Sequence, residues 1–325
     1  MMTQGLVGWD IGGTKCAVVL GSLVGDDVRL IDRRQFPTPP GFTNTVERLN
    51  DASQELIDAH RVTPAAIGVA CGGPLNTHTG RILSPPNLPG WDDVDLVTPL
   101  RERWGVPVAL ENDANAGALA EWRWGGGRGL AHVIFLTFGT GMGAGLILNG
   151  RLYRGTRDLA GEIGHLRLAE SGPVGFGKAG SFEGFCSGGG IARLAAMRLA
   201  AWRQAGKASL LASEPWDLSA ERVGWAAQTG DVLACAIWEE VGRRLGQGLA
   251  VLIDVLNPQL IALGSIYRRQ QAWIEPAMRR ALAAEAIAAA YQACRIEPTA
   301  LGEAIGDWGS LAVAYVAAES RTSRP

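Results

Sequence analysis

Asp10-Ile11-Gly12-Gly13-Thr14-Lys15 lies between two apolar runs, Leu6-Val7-Gly8-Trp9 and Cys16-Ala17-Val18-Val19-Leu20. Two strands joined by a glycine-rich turn that also carries an acid, a hydroxyl and an amine suggest a phosphate clasp. Glycine leaves the backbone N–H groups open to close on phosphate oxygens. Gly12, Gly13, Thr14 and Lys15 are the candidate phosphate contacts. Asp10, at the strand end, is a candidate Mg²⁺ ligand, directly or through water. The same turn also fits an ordinary hairpin, and a second copy shifts the balance. Val133-Ile134-Phe135-Leu136-Thr137-Phe138 leads into Gly139-Thr140-Gly141-Met142-Gly143-Ala144-Gly145, and Leu146-Ile147-Leu148 leads out. With Asp10 placed on Thr137 and Gly12 on Gly139, each half opens with a strand, a small-residue turn and a returning strand. That repetition implies two related α/β domains facing each other, with the phosphates of a nucleotide held from both sides.

At 325 residues the chain is long enough for two domains of ordinary size. A composition of 47% hydrophobic and 19% charged residues is globular, and a net charge of −2 offers no attraction for nucleic acid or an anionic membrane. No apolar run approaches the ~20 residues that span a bilayer. The first residues enter a strand at once, without the charged region and apolar core of a secretory signal. Five scattered cysteines (16, 71, 186, 235 and 294), with no C-x-x-C pair, point to a reduced, cytoplasmic protein without structural disulfides.

Val28-Arg29-Leu30-Ile31-Asp32-Arg33-Arg34 reads as the third strand of a meander, broken by Pro37-Thr38-Pro39-Pro40-Gly41. Val46, Leu49, Ala52, Leu56 and Ile57 then recur at helical spacing up to residue 60. Ala66-Ile67-Gly68-Val69-Ala70-Cys71 and Pro107-Val108-Ala109-Leu110-Glu111 read as strands, the second ending at Asn112-Asp113 ahead of helix formers from 114 to 122. This alternation places a site at the carboxyl ends of the strands. The second half begins near a glycine hinge, Gly125-Gly126-Gly127. It carries a long helix over 230–256 stopped by Pro258, a late strand from Leu260, and a last helix from about 304 to 318 that is expected to return to the first domain.

Asp113 is the first candidate for catalysis. A carboxylate at a strand end just ahead of a helix can act as general base; the same position equally suits an N-cap that accepts the helix's own N–H groups. Asn112 offers an amide able to hold a hydroxyl through donor and acceptor together. Gly161-Glu162-Ile163-Gly164-His165 sets an acid and a histidine three residues apart, and Glu183 and Asn87 complete a polar set on loops. Such a set suits a polyhydroxylated ligand, although ordinary solvated loops carry the same residue types. Gly172-Pro173-Val174-Gly175-Phe176-Gly177-Lys178 has P-loop spacing, but Ala179 stands where the Mg²⁺-binding hydroxyl belongs and no apolar strand precedes it.

Taken together, these segments resemble the ROK family, a group of sugar kinases and repressors within the sugar kinase and actin fold superfamily. The matching residues are Asp10-Ile11-Gly12-Gly13-Thr14-Lys15, Pro86-Asn87-Leu88 with Gly90-Trp91, Glu111-Asn112-Asp113-Ala114-Asn115, the run from Leu136 to Gly145, Gly161-Glu162-Ile163-Gly164-His165 and Leu263-Gly264. They follow family order over nearly the whole chain. The resemblance implies an α/β, two-domain actin-like (ribonuclease H-like) sugar kinase fold with an active-site cleft between the domains. Those domains are expected at 1–113 plus 303–325 and at 114–302. It also implies transfer of the γ-phosphoryl group of Mg-ATP to a hydroxyl, usually the 6-hydroxyl, of a hexose, as in a glucokinase. Asp113 would be the general base, and Asn87, Asn112, Glu162, His165 and Glu183 would line the sugar pocket. Gly12, Gly13, Thr14, Lys15, Gly139, Thr140 and Gly141 would surround the phosphates, with Gly264 near the nucleoside. Repressors of the family carry a winged-helix domain ahead of this core, for which a turn at residue 10 leaves no room. The expected partners are therefore a sugar and ATP, with no nucleic acid and no membrane, in a homodimer or homotetramer.

Many family members hold a structural zinc through one histidine and three cysteines, in a segment reading G-H…C-x-C-G-x-x-G-C-x-E. Here the glycine frame and Glu183 align, which puts Val174, Phe176 and Ser181 at the cysteine positions. None supplies a thiolate, and His165 alone does not make a tetrahedral site. No zinc is expected, and Phe176 and Phe182 are the expected anchors of the loop. Fructose, mannose, allose, an amino sugar or a glycoside-like, antibiotic-type sugar stay open as acceptors. So do a sugar-binding sensor without catalysis and polyphosphate as the donor.

Overall fold

The computed structural model describes residues 3–25, 27–212 and 217–322. β1 (Thr3–Ile11), β2 (Lys15–Val24) and β3 (Asp27–Pro37) form the expected antiparallel meander. α1 (Phe42–His60) leads to β4 (Val62–Cys71), which runs parallel to β1 with Asp10 opposite Ala70. Short strands β5 (Leu75–Asn76), β6 (Arg81–Ile82) and β7 (Val94–Asp95) make a small sheet before α2 (Val97–Trp104), β8 (Val108–Asn112) and α3 (Asp113–Trp124). The first large sheet has the order β3-β2-β1-β4-β8. Its central strands read as apolar runs because both faces are covered. β3, at the edge, carries Arg29, Asp32, Arg33 and Arg34, charges that discourage pairing with another chain.

The second half repeats this plan. β9 (Val133–Leu136), β10 (Ala144–Leu148) and β11 (Arg151–Leu152) are followed by a hairpin of β12 (Val174–Gly175) and β13 (Lys178–Ala179). Helices α4 (Phe182–Cys186), α5 (Gly188–Gln204), α6 (Ala220–Gln228) and α7 (Val232–Leu256) come next. β14 (Leu260–Leu263), α8 (Ser265–Glu285), α9 (Ala288–Ala293), β15 (Arg295–Pro298) and α10 (Ile305–Thr322) complete the chain. The second sheet runs β11-β10-β9-β14-β15, with β14 parallel to β9 and β15 parallel to β14. The repeat read from two hairpins is thus a repeat of whole sheets. α7 opens slightly later than its apolar spacing suggests because Asp231 caps it, accepting from Ala234 N at 2.8 Å. It closes at Asn257, in the left-handed conformation ahead of Pro258.

Alternation along β1 decides what each face of the first sheet meets. Val7, Trp9 and Ile11 join a core with Leu49, Leu56 and Ile57 of α1, and the Trp9 indole N–H donates to Ser53 Oγ at 2.8 Å. Leu6 joins the opposite core with Leu311 and Ala314 of α10. On that side a Cβ at Gly68 would run into the backbone of Ser310, Val313 and Ala314. Backbone cannot step aside as a flexible side chain can. Gly68→Ala should therefore lower the unfolding free energy by about 2 kcal/mol or more. Urea denaturation checks this, and an unchanged midpoint would show that α10 has slack on the sheet.

The chain divides into two compact units, residues 1–129, 145–160 and 303–325 in one and residues 130–144 and 161–302 in the other. The last helix joins the first unit, which also runs past residue 113 to include α3. The reason is burial: Ala114, Ala116, Ala118 and Leu119 are all but inaccessible, and Trp124 packs on Trp308 and Tyr315 of α10 at centroid distances of 5.4 and 5.8 Å. All five cysteines are free thiols. Among the described residues, no helix is long and apolar enough to cross a membrane.

Candidate functional site

In the first unit, α10 sets the surroundings of Asp10. Leu6, Gly8 and Asp10 share one face of β1, and along it lie Leu311, Ser310 and then Gly306, which abuts the Asp10 carboxylate. The next residue, Asp307, pairs with Arg33 at 2.8 Å. Burial pushes the Asp10 carboxyl up to about 6; the nearby Asp307 and Asp113 carboxylates add to the rise, while Arg33 and Lys15 oppose it. Sequence reasoning did not find Asp307, because its relation to Asp10 exists only once the last helix lies on the first strand. The turn beside it is braced by the segment after β3. Gly12 N donates to Lys15 O at 3.1 Å, and Thr38 Oγ1 donates to Gly12 O at 2.6 Å. Gly13, Thr14 and Lys15 are exposed at the tip, and Asn87 lies with its backbone against Gly13.

The junction of β8 and α3 decides between the two readings of its polar pair. Asn112 is the N-cap, its Oδ1 accepting from Ala114 N at 2.9 Å. Asp113 is the first helical residue and is exposed, with Oδ1 also 2.8 Å from Ala114 N. The Asn112 carbonyl spends one lone pair on the cap, and its Nδ2 donor lies beside Gly73. Glu111 supports this corner from inside. Buried, it accepts from Asn112 N at 3.0 Å, Asn115 Nδ2 at 2.9 Å and Arg154 Nε at 2.7 Å. An acid ending an apolar strand was the only sequence signal for that role.

In the second unit, four segments converge on the turn from Thr137 to Gly143. Thr137 closes the turn: its N donates to Gly143 O at 3.0 Å, and its Oγ1 accepts from Gly143 N at 3.1 Å. Glu183 Oε2 accepts from Met142 N at 3.2 Å and lies near Gly141, while the Glu183 side chain packs against Gly164. Gly188 N, at the start of α5, donates to Gly139 O at 2.8 Å. Gly264 N donates to Leu136 O at 2.8 Å, and a Cβ there would strike the Thr137 carbonyl, so only glycine allows this approach. Ser187-Gly188-Gly189-Gly190, a glycine-rich helix start beside the turn, went unread in the sequence. Its N–H groups are largely used within the protein, Gly188 N on Gly139 O at 2.8 Å and Gly190 N on Ser187 Oγ at 3.0 Å.

Glu162 is exposed and precedes a single 3₁₀ turn, Ile163–His165. His165 is half-buried. Its carbonyl accepts from Lys178 Nζ at 2.7 Å, and its ring meets Phe176 edge to face with centroids 5.0 Å apart. The expectation that Phe176 and Phe182 both anchor this loop is half right. Phe182 is fully buried against Gly248 of α7, but Phe176 is 65% exposed at the hairpin tip. Ser181 does the second part of the anchoring by capping α4, its Oγ accepting from Gly184 N at 3.1 Å.

A cavity of about 320 Å³ is lined by Ala220 and Glu221 of α6 and by Ile266, Arg269 and Gln270 of α8. α8 is kinked at Gln270, whose amide packs against Gly224 and whose buried Oε1 has no partner among the described residues. Nothing in the local sequence marks this cavity, because it forms where two helices distant along the chain meet.

Comparison with known proteins places these features in context. A family model described as "ROK family" matches residues 6–316. The chain is 32% identical over 263 residues to a glucokinase of Streptomyces coelicolor, covering 79% of this chain and 80% of the relative. Among solved structures, a ROK hexokinase from Thermus thermophilus superposes with a TM-score of 0.78 at 30% identity, covering 97% of this chain and 100% of that one. A ROK family glucokinase from Streptomyces griseus, in complex with glucose and AMPPNP, gives 0.76 at 29% identity, covering 95% and 99%. The fold is the two-domain actin-like fold of these sugar kinases.

Proposed function

The chain belongs to the ROK family and is a sugar kinase, and from that premise we propose that it moves the γ-phosphoryl group of Mg-ATP to the 6-hydroxyl of a hexose. The observation that carries the reading is the β8–α3 junction. Asn112 holds the helix cap, so Asp113 stays exposed at the strand end, within electrostatic range of Asp10. Asp113 accepts the hydroxyl proton as that oxygen attacks phosphorus, and ADP leaves. Asn87, Asn112, Glu162, His165 and Glu183 bind acceptor hydroxyls. Gly12, Gly13, Thr14 and Lys15 contact the phosphates, as do Gly139, Thr140 and Gly141. The cavity between α6 and α8 takes the nucleoside, with Gly264 just ahead of α8.

A carboxylate crowded by two further acids and pushed up to about 6 fits a divalent cation, which relieves that crowding. Asp10 would hold Mg²⁺ directly or through water, and the ion would offset phosphate charge. Zinc does not fit the loop. Val174 and Phe176 have no ligating atom, and the Ser181 hydroxyl is committed to the α4 cap. Elemental analysis of untagged protein should find zinc far below one atom per chain; stoichiometric zinc would overturn this.

The test of function is ADP release from Mg-ATP over a panel of hexoses, amino sugars and glycosides. Turnover on a hexose supports the proposal. Sugar binding without ADP release would replace it with a sensor role.

A further inference from the structure

We propose that Phe176 is a specificity-determining contact for the acceptor, favouring a hexose that carries an apolar substituent such as an N-acyl group over the unsubstituted hexose. This rests on the sugar-kinase reading and on His165 as an acceptor contact. The pairing of β12 with β13, Val174 opposite Ala179 and Gly175 opposite Lys178, leaves Phe176-Gly177 as a two-residue loop. Both residues have positive φ, +43° and +76°. Loops of that kind favour Asn-Gly, where the first side chain is small and polar. A phenylalanine there is conformationally unfavourable, and at 65% exposure most of its ring gains nothing from burial.

The hairpin is nevertheless built to keep the ring in place. Gly175 packs under the backbone of Glu183 and Gly184, leaving no room for a side chain at that strand position. Lys178 ties the other strand to the His165 carbonyl at 2.7 Å, and the Phe176 ring rests against the His165 ring. An exposed aromatic is thus held at a fixed place beside a hydrogen-bonding residue. The polar neighbours Glu162, His165 and Glu183 serve hydroxyl groups. A phenyl ring held beside His165 has nothing to offer a hydroxyl, and contributes by covering an apolar part of the acceptor.

The experiment compares kcat/KM for N-acetylmannosamine against mannose, and for N-acetylglucosamine against glucose, in the wild type and Phe176→Ala. The wild type should prefer the acylated member of at least one pair, and Phe176→Ala should lower that ratio about tenfold. Phe176→Tyr should restore it, while Val174→Ala, exposed on the same hairpin, should leave it unchanged. An unchanged ratio in Phe176→Ala, or a wild-type preference for the free hexose in both pairs, overturns the proposal. If no sugar is phosphorylated, the kinase reading fails separately, and calorimetric dissociation constants for the same pairs decide the role of Phe176. A ratio of those constants lowered in Phe176→Ala supports it; equal ratios or no binding overturn it. A change in oligomeric state with an unaltered ratio would reassign the ring to contact between copies and likewise overturn it.

Discussion

Asp113→Asn is expected to lower kcat for phosphoryl transfer by about 10²- to 10⁴-fold, the usual contribution of a general base. The sugar KM should move far less, because the amide keeps the size and most of the hydrogen bonding of the carboxylate and lacks only the ability to take the proton. The structure makes this a clean substitution. Asn112 carries the cap of α3, Asp113 is exposed, and an amide at 113 keeps an oxygen able to accept from Ala114 N as Asp113 Oδ1 does, so the substitution disturbs packing and helix start little. Steady-state ADP release with a parallel thermal melt is the measurement. A variant that melts like the wild type and retains kcat within a few-fold would remove Asp113 from the chemistry. One that unfolds would show that the carboxylate matters to the helix after all.

The second large effect concerns Asp10 and has opposite consequences for activity and stability. Its carboxyl titrates near 3.8 in an unfolded chain and is pushed up to about 6 in the folded one. Between those values the folded state binds more protons than the unfolded state, so raising the pH through this window removes stability. Above about 6 the full cost is present; below about 4 it is gone. A rise of this size on a mostly buried group corresponds to about 3 kcal/mol. Asp10→Asn removes the charge, so in chelator-containing buffer at pH 8 it should melt above the wild type. The gap should close as the pH falls to about 4. Phosphoryl transfer should be lost at every pH, since Asp10 is the proposed Mg²⁺ ligand. Equal melting temperatures at pH 8 would mean that Arg33 and Lys15 outweigh burial and the two neighbouring acids.

Both effects bear on what could be read early. The two glycine turns, the strands around them and the Asn112-Asp113 corner are legible because their signals are local. An apolar run, a glycine and an acid within a few residues specify a strand, a turn and a polar strand end. The capping assignment at that corner was not legible, since Asn and Asp compete for it on nearly equal terms and only the backbone conformation at residue 112 decides. Phe176 is the instructive departure. Its chemistry suggested a buried anchor, but the register of a four-residue hairpin ladder put it at the tip, where the ring is turned out.

By itself, the sequence determined the duplicated α/β plan, the family and the residue types available for phosphate and hydroxyl binding. Those follow from short-range pattern, which backbone sterics and side-chain chemistry impose on neighbouring residues. Only the tertiary structure decided that Gly306 and Asp307 meet Asp10, that Glu111 holds Arg154, that Gly264 seats against Thr137, and that α6 and α8 enclose a cavity. Each joins residues far apart in the chain. Such contacts depend on which faces of sheet and helix pack together, and the closeness of that packing rests on single positions such as Gly68 and Gly264 that admit no side chain.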